Sequence, residues 1–183
     1  MNVQAGLTLF ELMVTLAVAI LLTAIAIPSI DGLLSSNRAT EQANSLVTAM
    51  TVARTEALTR GAPVAVCAKA SSSSSDTTCG SASDWTNGWE VFVDNGTTTG
   101  SYSSADETLV RLFGDLSGSA QVTASASFIR FLRDGSLDSA VHSGAESFRF
   151  AQNVSGAVSV RCVQINAVGQ LSTDKIASTA SCP

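Results

Sequence analysis

The sequence predicts an α+β protein, with one long N-terminal helix followed by a β-rich body. Three observations carry this. No residue from Leu12 to Ile30 is charged, and only Thr15, Thr23 and Ser29 interrupt the run with hydroxyls. From there to Arg60, apolar residues recur at steps of three and four, the period of one helix face. From Val64 the period changes to two, and short apolar runs alternate with turn residues. A helix followed by strands is the order of an α+β fold, and many short strands between turns suggest antiparallel sheets.

The apolar run, about 9–30, is long enough to cross a hydrocarbon core of roughly 30 Å. Glu11 stands at its front edge, and no Lys or Arg precedes Arg38 to pair with it. A carboxylate at a bilayer centre costs on the order of 3 kcal/mol, so a chain that keeps one there is expected to supply a partner. Three simpler readings compete. An ordinary membrane anchor has no need of Glu11. Ala24-Ile25-Ala26 has the small-x-small form of a secretory cleavage site, but the basic n-region is missing. Thr8-Leu9-Phe10-Glu11 fits a capping box, which is compatible with any of these roles.

Beyond Pro28 the pattern is amphipathic. Ala39, Ala43, Leu46, Val47, Met50, Ala53, Ala57 and Leu58 form one face, and Arg38, Glu41, Gln42, Asn44, Thr48, Thr55, Glu56 and Thr59 fill the others. Pro28 and Gly32 are candidate bends, and Gly61 with Pro63 stops the helix. A helix from Thr8 to Arg60 is about 80 Å long. Strands are predicted at 64–67, 89–93, 109–113, 128–132, 147–150, 158–163 and, shorter, 167–171. Asp94-Asn95-Gly96 and Asp134-Gly135 are turns, and the Ser-rich stretch 70–80 is a loop.

A short leader ending at Gly6, then Leu7, then Glu11 as the fifth residue after Gly6, then an apolar helix, resembles the class III signal of type IV pilins and type II secretion pseudopilins. The resemblance implies cleavage between Gly6 and Leu7 by a prepilin peptidase, N-methylation of Leu7, and an assembly role for Glu11. The leader departs from the pattern in having no Lys or Arg, so orientation by the positive-inside rule is weakly encoded. Asn37-Arg38, Ala43-Asn44, Ala53-Arg54-Thr55-Glu56-Ala57, Arg60-Gly61, Pro63 through Cys67, Asp84-Trp85, Gly88-Trp89, Val91 through Asp94 and Cys182-Pro183 narrow the likeness to the GspH/FimT family of minor pilins and pseudopilins. That implies a leader at 1–6, a helix at 7–60 and a β-sandwich-like body at 61–183. It also implies a single-pass subunit in the inner membrane with a periplasmic body, which assembles with other pilins or pseudopilins. The leading expectation is a minor pilin taking part in starting or joining a type IV pilus. Alternatives are the corresponding type II secretion pseudopilin, a DNA-binding uptake pilin, and an exported enzyme.

Composition limits the chemistry. The chain of 183 residues has net charge −5, and only 14% of its residues are charged. Bulk charge therefore does not suggest a nucleic-acid surface. His142 is the only histidine, and no cofactor or metal is expected, since a zinc site needs about four convergent ligands. Asp94, Asp106 and Glu107 flank a polar loop and are read as solvated acids, because their spacing matches no EF-hand. No nucleophile elbow or phosphate loop is present. Trp85 and Trp89 are expected in the core beside a loop. The four cysteines, in an exported chain, favour disulfides. Sequence neighbours suggest Cys67 with Cys79 and Cys162 with Cys182, although three pairings are open. The family's DNA-binding relatives carry Gly-Arg-x-Arg near the C-terminus. The matching stretch here, Gly169-Gln170-Leu171-Ser172, keeps the glycine and neither arginine. DNA is therefore not an expected partner, and Arg149, Arg161 and Lys175 are the residues that a folded patch would have to gather.

Overall fold

The computed structural model describes residues 8–73 and 77–183, and the side chains of residues 24–29 lie outside that description. Helix α1 runs Leu9–Arg60, unbroken through Pro28 and Gly32. Thr8 caps it in an extended conformation, its Oγ1 accepting the Glu11 amide at 3.2 Å. Gly61 ends it at φ 62°, donating its amide to Ala57 O at 3.0 Å. In this left-handed conformation glycine avoids the Cβ penalty.

The strands are β1 (Val64–Ala68), β2 (Trp89–Val93), β3 (Thr108–Phe113), β4 (Ala120–Ala124), β5 (Phe128–Phe131), β6 (Glu146–Val154), β7 (Ala157–Ile165) and β8 (Leu171–Ile176), with a 3-10 helix at Asp84–Asn87. They form two four-stranded sheets, ordered β3-β2-β1-β5 and β4-β6-β7-β8. Every pairing is antiparallel. The second half of α1 packs against both sheets, chiefly on β6 and β7.

Ala39, Ala43, Leu46, Ala49, Met50, Ala53 and Ala57 are fully buried on the helix. Against them lie Val64 and Val66, Val91, Ile129 and Phe131 of the first sheet, and Phe148, Phe150, Val163 and Ile165 of the second. The small alanines let the helix axis come close to both layers, so the large residues of the sheets fill the space between. Trp85 and Trp89 are fully buried, as expected from sequence. Trp85 meets the Phe148 ring edge-on at 4.8 Å and donates its indole N–H to Ala126 O at 2.8 Å.

Some elements depart from the sequence expectation. Leu58, placed on the apolar face, is half exposed, while Ala49, overlooked, is buried. Gln42, assigned to the polar side, is buried and donates Nε2 to Ser117 O at 3.1 Å; Gln152 donates to the same carbonyl at 2.9 Å. Strand β4 was not anticipated, since Ala-Gln-Val-Thr-Ala has only Val122 and Thr123 as β-formers; pairing with the nine-residue β6 supplies what propensity lacks. The stretch 167–171 is mainly a turn, not a strand. Asn166 Oδ1 accepts the Gln170 amide at 2.9 Å and Asn166 O accepts the Gly169 amide at 2.8 Å, which delays β8 to Leu171.

That turn generates a prediction. Gly169 has φ 76°, and a Cβ placed on it would sit 2.2 Å from Gly135 O, a backbone atom. Gly169→Ala combines left-handed strain, roughly 1–3 kcal/mol, with that collision. It is expected to lower the thermal unfolding temperature by several degrees in circular dichroism, whereas Gly144→Ala, whose added Cβ meets nothing within 4 Å, leaves it nearly unchanged.

Candidate functional site

The first half of α1 carries large apolar side chains on every side with no body to cover them. Leu9 and Phe10 are each 76% exposed, and Leu12, Met13, Leu16, Ile20, Leu21, Leu22, Ile30 and Leu33 are also open. A helix apolar all round belongs in lipid or among other helices, not in water. Among the described residues, no stretch of helix is apolar and long enough to cross a membrane. The expected span of about 9–30 includes residues 24–29, whose side chains are not described. Within 9–30 Glu11 is the one charge, and Asp31 follows directly after that stretch. Thr8 accepts the Glu11 amide, but no reciprocal bond from the Thr8 amide to the Glu11 carboxylate accompanies it among the described residues, so the capping box is half formed. The proposed cut between Gly6 and Leu7 falls outside the described residues.

A second concentration of polar chemistry lies on the outer face of the first sheet. Arg130, in mid-β5, places Nε 2.6 Å from Asp94 Oδ2 and Nη1 2.5 Å from Asp138 Oδ2. Asp94 also accepts the Gly100 amide at 3.1 Å. His142 Nε2 accepts the Arg130 amide at 3.1 Å, which leaves Nδ1 to donate to Glu146 Oε1 at 3.1 Å and identifies the tautomer. Glu146 in turn accepts from the Ser125 hydroxyl. Burial pushes the Asp138 carboxyl up, but the Ala140 amide and the Arg130 guanidinium outweigh it and hold the group below the usual carboxylate range. This network corrects the sequence reading. Asp94 and Glu107 are buried, not solvated, and Glu107 accepts the Gly96 and Ser103 amides at 3.0 and 2.8 Å. Asp106 is exposed. His142 is buried against Phe128, with ring centroids 5.6 Å apart. Sequence did hold a signal for this: Arg130 interrupts the apolar run Phe128-Ile129-x-Phe131, an unusual place for a solvated charge.

The cysteines form two bonds, Cys67–Cys79 and Cys162–Cys182. The first pair sits with Glu90 in a group whose sulfur and carboxylate atoms lie within 4.8 Å of one another. The second fastens the C-terminal tail to β7. Arg149 holds the same tail, donating to Ala180 O at 3.0 Å and Ser178 O at 2.5 Å, and Gln164 donates to Pro183 O at 2.5 Å.

The three basic candidates do not converge. Arg161 and Lys175 are direct cross-strand partners and so share a face. Arg161 is also opposite Phe150, which lies in the core, and its Nε donates to Thr40 Oγ1 on the helix at 3.1 Å. Arg149 is opposite Cys162 and therefore points to the other face, under the tail.

Comparisons agree with this architecture. Residues 42–169 match the family model described as type II transport protein GspH. A crystal structure of the type IV minor pilin FimU of Pseudomonas aeruginosa (strain PAO1) is similar with TM-score 0.53 and 16% identity, covering 75% of this chain and 89% of that one. A second crystal form of FimU gives TM-score 0.50 and 16% identity, over 74% and 91% of the two chains. At that identity the likeness speaks for the fold. No curated protein matches the chain.

The Arg130 network predicts an acid limb. A carboxyl whose folded pKa is lowered stabilises the fold above its unfolded value, about 3.9, and loses that contribution as pH falls through the folded value. Asp138→Asn should therefore destabilise the chain at pH 7 and flatten the loss of stability below about pH 4. Denaturant unfolding across pH 2–7 checks both; an unchanged acid slope would remove Asp138 from the account.

Proposed function

We infer the role of the chain from its family: it belongs to the GspH family of type II transport proteins, and it has the fold of a type IV minor pilin. The reading supported best is a minor pilin, a structural subunit that takes part in initiating or joining a type IV pilus. The observation that carries it is the uncovered apolar stretch 9–30 of α1 with Glu11 as its single charge.

In this reading a prepilin peptidase cuts between Gly6 and Leu7 and the new Leu7 amine is methylated. The first half of the helix, 9–30, anchors the subunit in the inner membrane, with the body 61–183 in the periplasm. Assembly moves that half from lipid into a bundle of like helices, where apolar contacts are kept. A lone carboxylate in such a bundle is costly unless paired. The N-terminal ammonium of a neighbouring subunit is a partner of the right charge, and the half-formed capping box leaves the Glu11 carboxylate available for it. Such a pair also sets the axial stagger, since only one register brings a chain start to Glu11. No enzymatic step is assigned to the chain, and its partners are other pilins.

The corresponding pseudopilin of type II secretion is the second reading, favoured by the description of the matching family model. The tail bond Cys162–Cys182 and the likeness to FimU favour the pilus version. Mass spectrometry and N-terminal sequencing of the membrane-derived protein are expected to find methylated Leu7 as the first residue; a start at Ile27 would support a conventional secretory signal instead. Glu11→Gln retains a residue able to complete a capping box. It should leave processing and insertion intact and sharply reduce the variant's presence in sheared filaments. Normal incorporation would reduce Glu11 to a helix cap.

DNA uptake is a third reading. Affinity for duplex DNA grows with the number of phosphates neutralised, with a salt slope of about −0.9 per contact. With Arg149 turned away from Arg161 and Lys175, gel-shift titration at physiological salt is expected to find no low-micromolar binding. Tight binding lost on Arg161→Ala or Lys175→Ala would revive the uptake reading.

A further inference from the structure

The outer face of the first sheet holds an arrangement that the assembly role does not use. Cys67 and Glu90 are direct cross-strand partners on β1 and β2, so their side chains rise from the same face. Both are fully buried. Cys79 reaches them from the far end of the Ser-rich loop and is half-buried. Glu90 Oε1 lies 3.4 Å from Cys67 Sγ and 3.6 Å from Cys79 Sγ. In the disulfide neither sulfur carries a proton, so these are packing distances of a carboxylate against two sulfurs.

We propose that, in the reduced chain, Cys67, Cys79 and Glu90 form a binding site for one thiophilic divalent cation, with zinc as the representative metal. The geometry is what points there. In a tetrahedral site with Zn–S near 2.3 Å and Zn–O near 2.0 Å, a ligand oxygen stands about 3.5 Å from each sulfur, and two sulfurs stand about 3.8 Å apart. The carboxylate oxygen already occupies the first of these positions relative to both sulfurs. Only the sulfurs need separate, and breaking their bond permits it. Cys79 is held beside the end of β1 by a bridge to Lys69 and by the Gly80 amide on Ala68 O at 2.7 Å, so its backbone stays in place and the separation falls on the side chains. The Tyr102 amide points at Cys79 Sγ from 3.4 Å, the kind of N–H···S contact that steadies a thiolate ligand. Two thiolates and one carboxylate leave a fourth position for water, open on the Cys79 side.

The chemistry balances with a disulfide oxidant as the one further reactant. An exported chain arrives with both cysteines as thiols. Binding the cation releases the two thiol protons. A disulfide oxidant then accepts two electrons by thiol–disulfide exchange, closing Cys67–Cys79 and freeing the cation. Cation and disulfide are thus alternative ways of joining the loop to β1, and the first holds the thiols in place until the second forms.

Cobalt(II) is the probe, because tetrahedral thiolate coordination gives it intense visible bands and a near-ultraviolet charge-transfer band. The full-length chain in detergent is reduced with a water-soluble phosphine under anaerobic conditions and titrated with cobalt. The expected result is one tetrahedral cobalt per chain, displaced by zinc, in the wild type and in the Cys162→Ser/Cys182→Ser variant, and none in the oxidised chain or in Cys67→Ser. Glu90→Gln should weaken binding roughly tenfold or more while keeping both thiols titratable. If the reduced wild type gives no tetrahedral spectrum, the proposal fails whatever the variants do. Unchanged affinity in Glu90→Gln, with circular dichroism showing a folded body, would overturn the three-ligand site.

Discussion

The structure depends on one packing constraint: a single helix has to serve two sheets. The buried stripe on α1 is mostly alanine, with Leu46 and Met50 as its only large apolar members. A helix lined with leucine would hold the sheets away and leave voids that the short β-strands could not fill. With alanine, the aromatic residues Trp85, Trp89, Phe148 and Phe150 come from the body and the helix supplies a smooth close surface. The same constraint explains why the stripe begins only near Ser35 and Ala39. Above that point the helix has neighbours to fit, and below it none within the chain, so large apolar residues such as Leu12, Met13, Leu16, Ile20, Leu21 and Leu22 stand open there.

Much of this was legible in the sequence because it rests on periodicity. The helix bounds were readable from Thr8 and Gly61, which act through local backbone chemistry. The strands rich in Val, Phe and Ile were readable for the same reason. What escaped was set by partners far along the chain. Strand β4 exists because β6 offers it an edge. Gln42 looks like a surface residue until Ser117, far off in sequence, brings it a carbonyl. Residues 167–171 read as a strand by alternation, but Asn166 and Gly169 favour the turn, since an Asx-type bond and a left-handed glycine act on the spot. The candidate site divides the same way: Glu11 was visible as an isolated charge, whereas the Arg130 network needed three loops to fold onto one face.

That network also shows how the loops are ordered. The stretches after β2 and β5 contain few apolar residues and cannot bury enough surface to order themselves. Asp94 and Asp138 bring them to Arg130 instead, and Glu107 gathers two amides of its own loop. An ion pair with low exposure is a costly device unless the remaining hydrogen-bonding capacity is used. Here the Gly100 and Ala140 amides and the Asp94 carbonyl use part of it, while Asp94 Oδ1 is buried without a hydrogen-bond partner among the described residues.

The two sheets solve a common problem in parallel. Each packs its inner face toward the helix and carries irregular chain over part of its outer face. On the first sheet the cover is tied by Cys67–Cys79 and by Arg130; on the second, by Cys162–Cys182 and by Arg149. In each case one covalent bond and one arginine do what apolar contact cannot. The bonds close short loops, with sequence separations of 12 and 20. Their stabilisation, about 2–4 kcal/mol each in the chain-entropy model, falls mainly on the covers, while the sheets and helix meet through a core that contains no disulfide sulfur. A body built in this way can keep its helix-facing core unchanged while its outer covers vary.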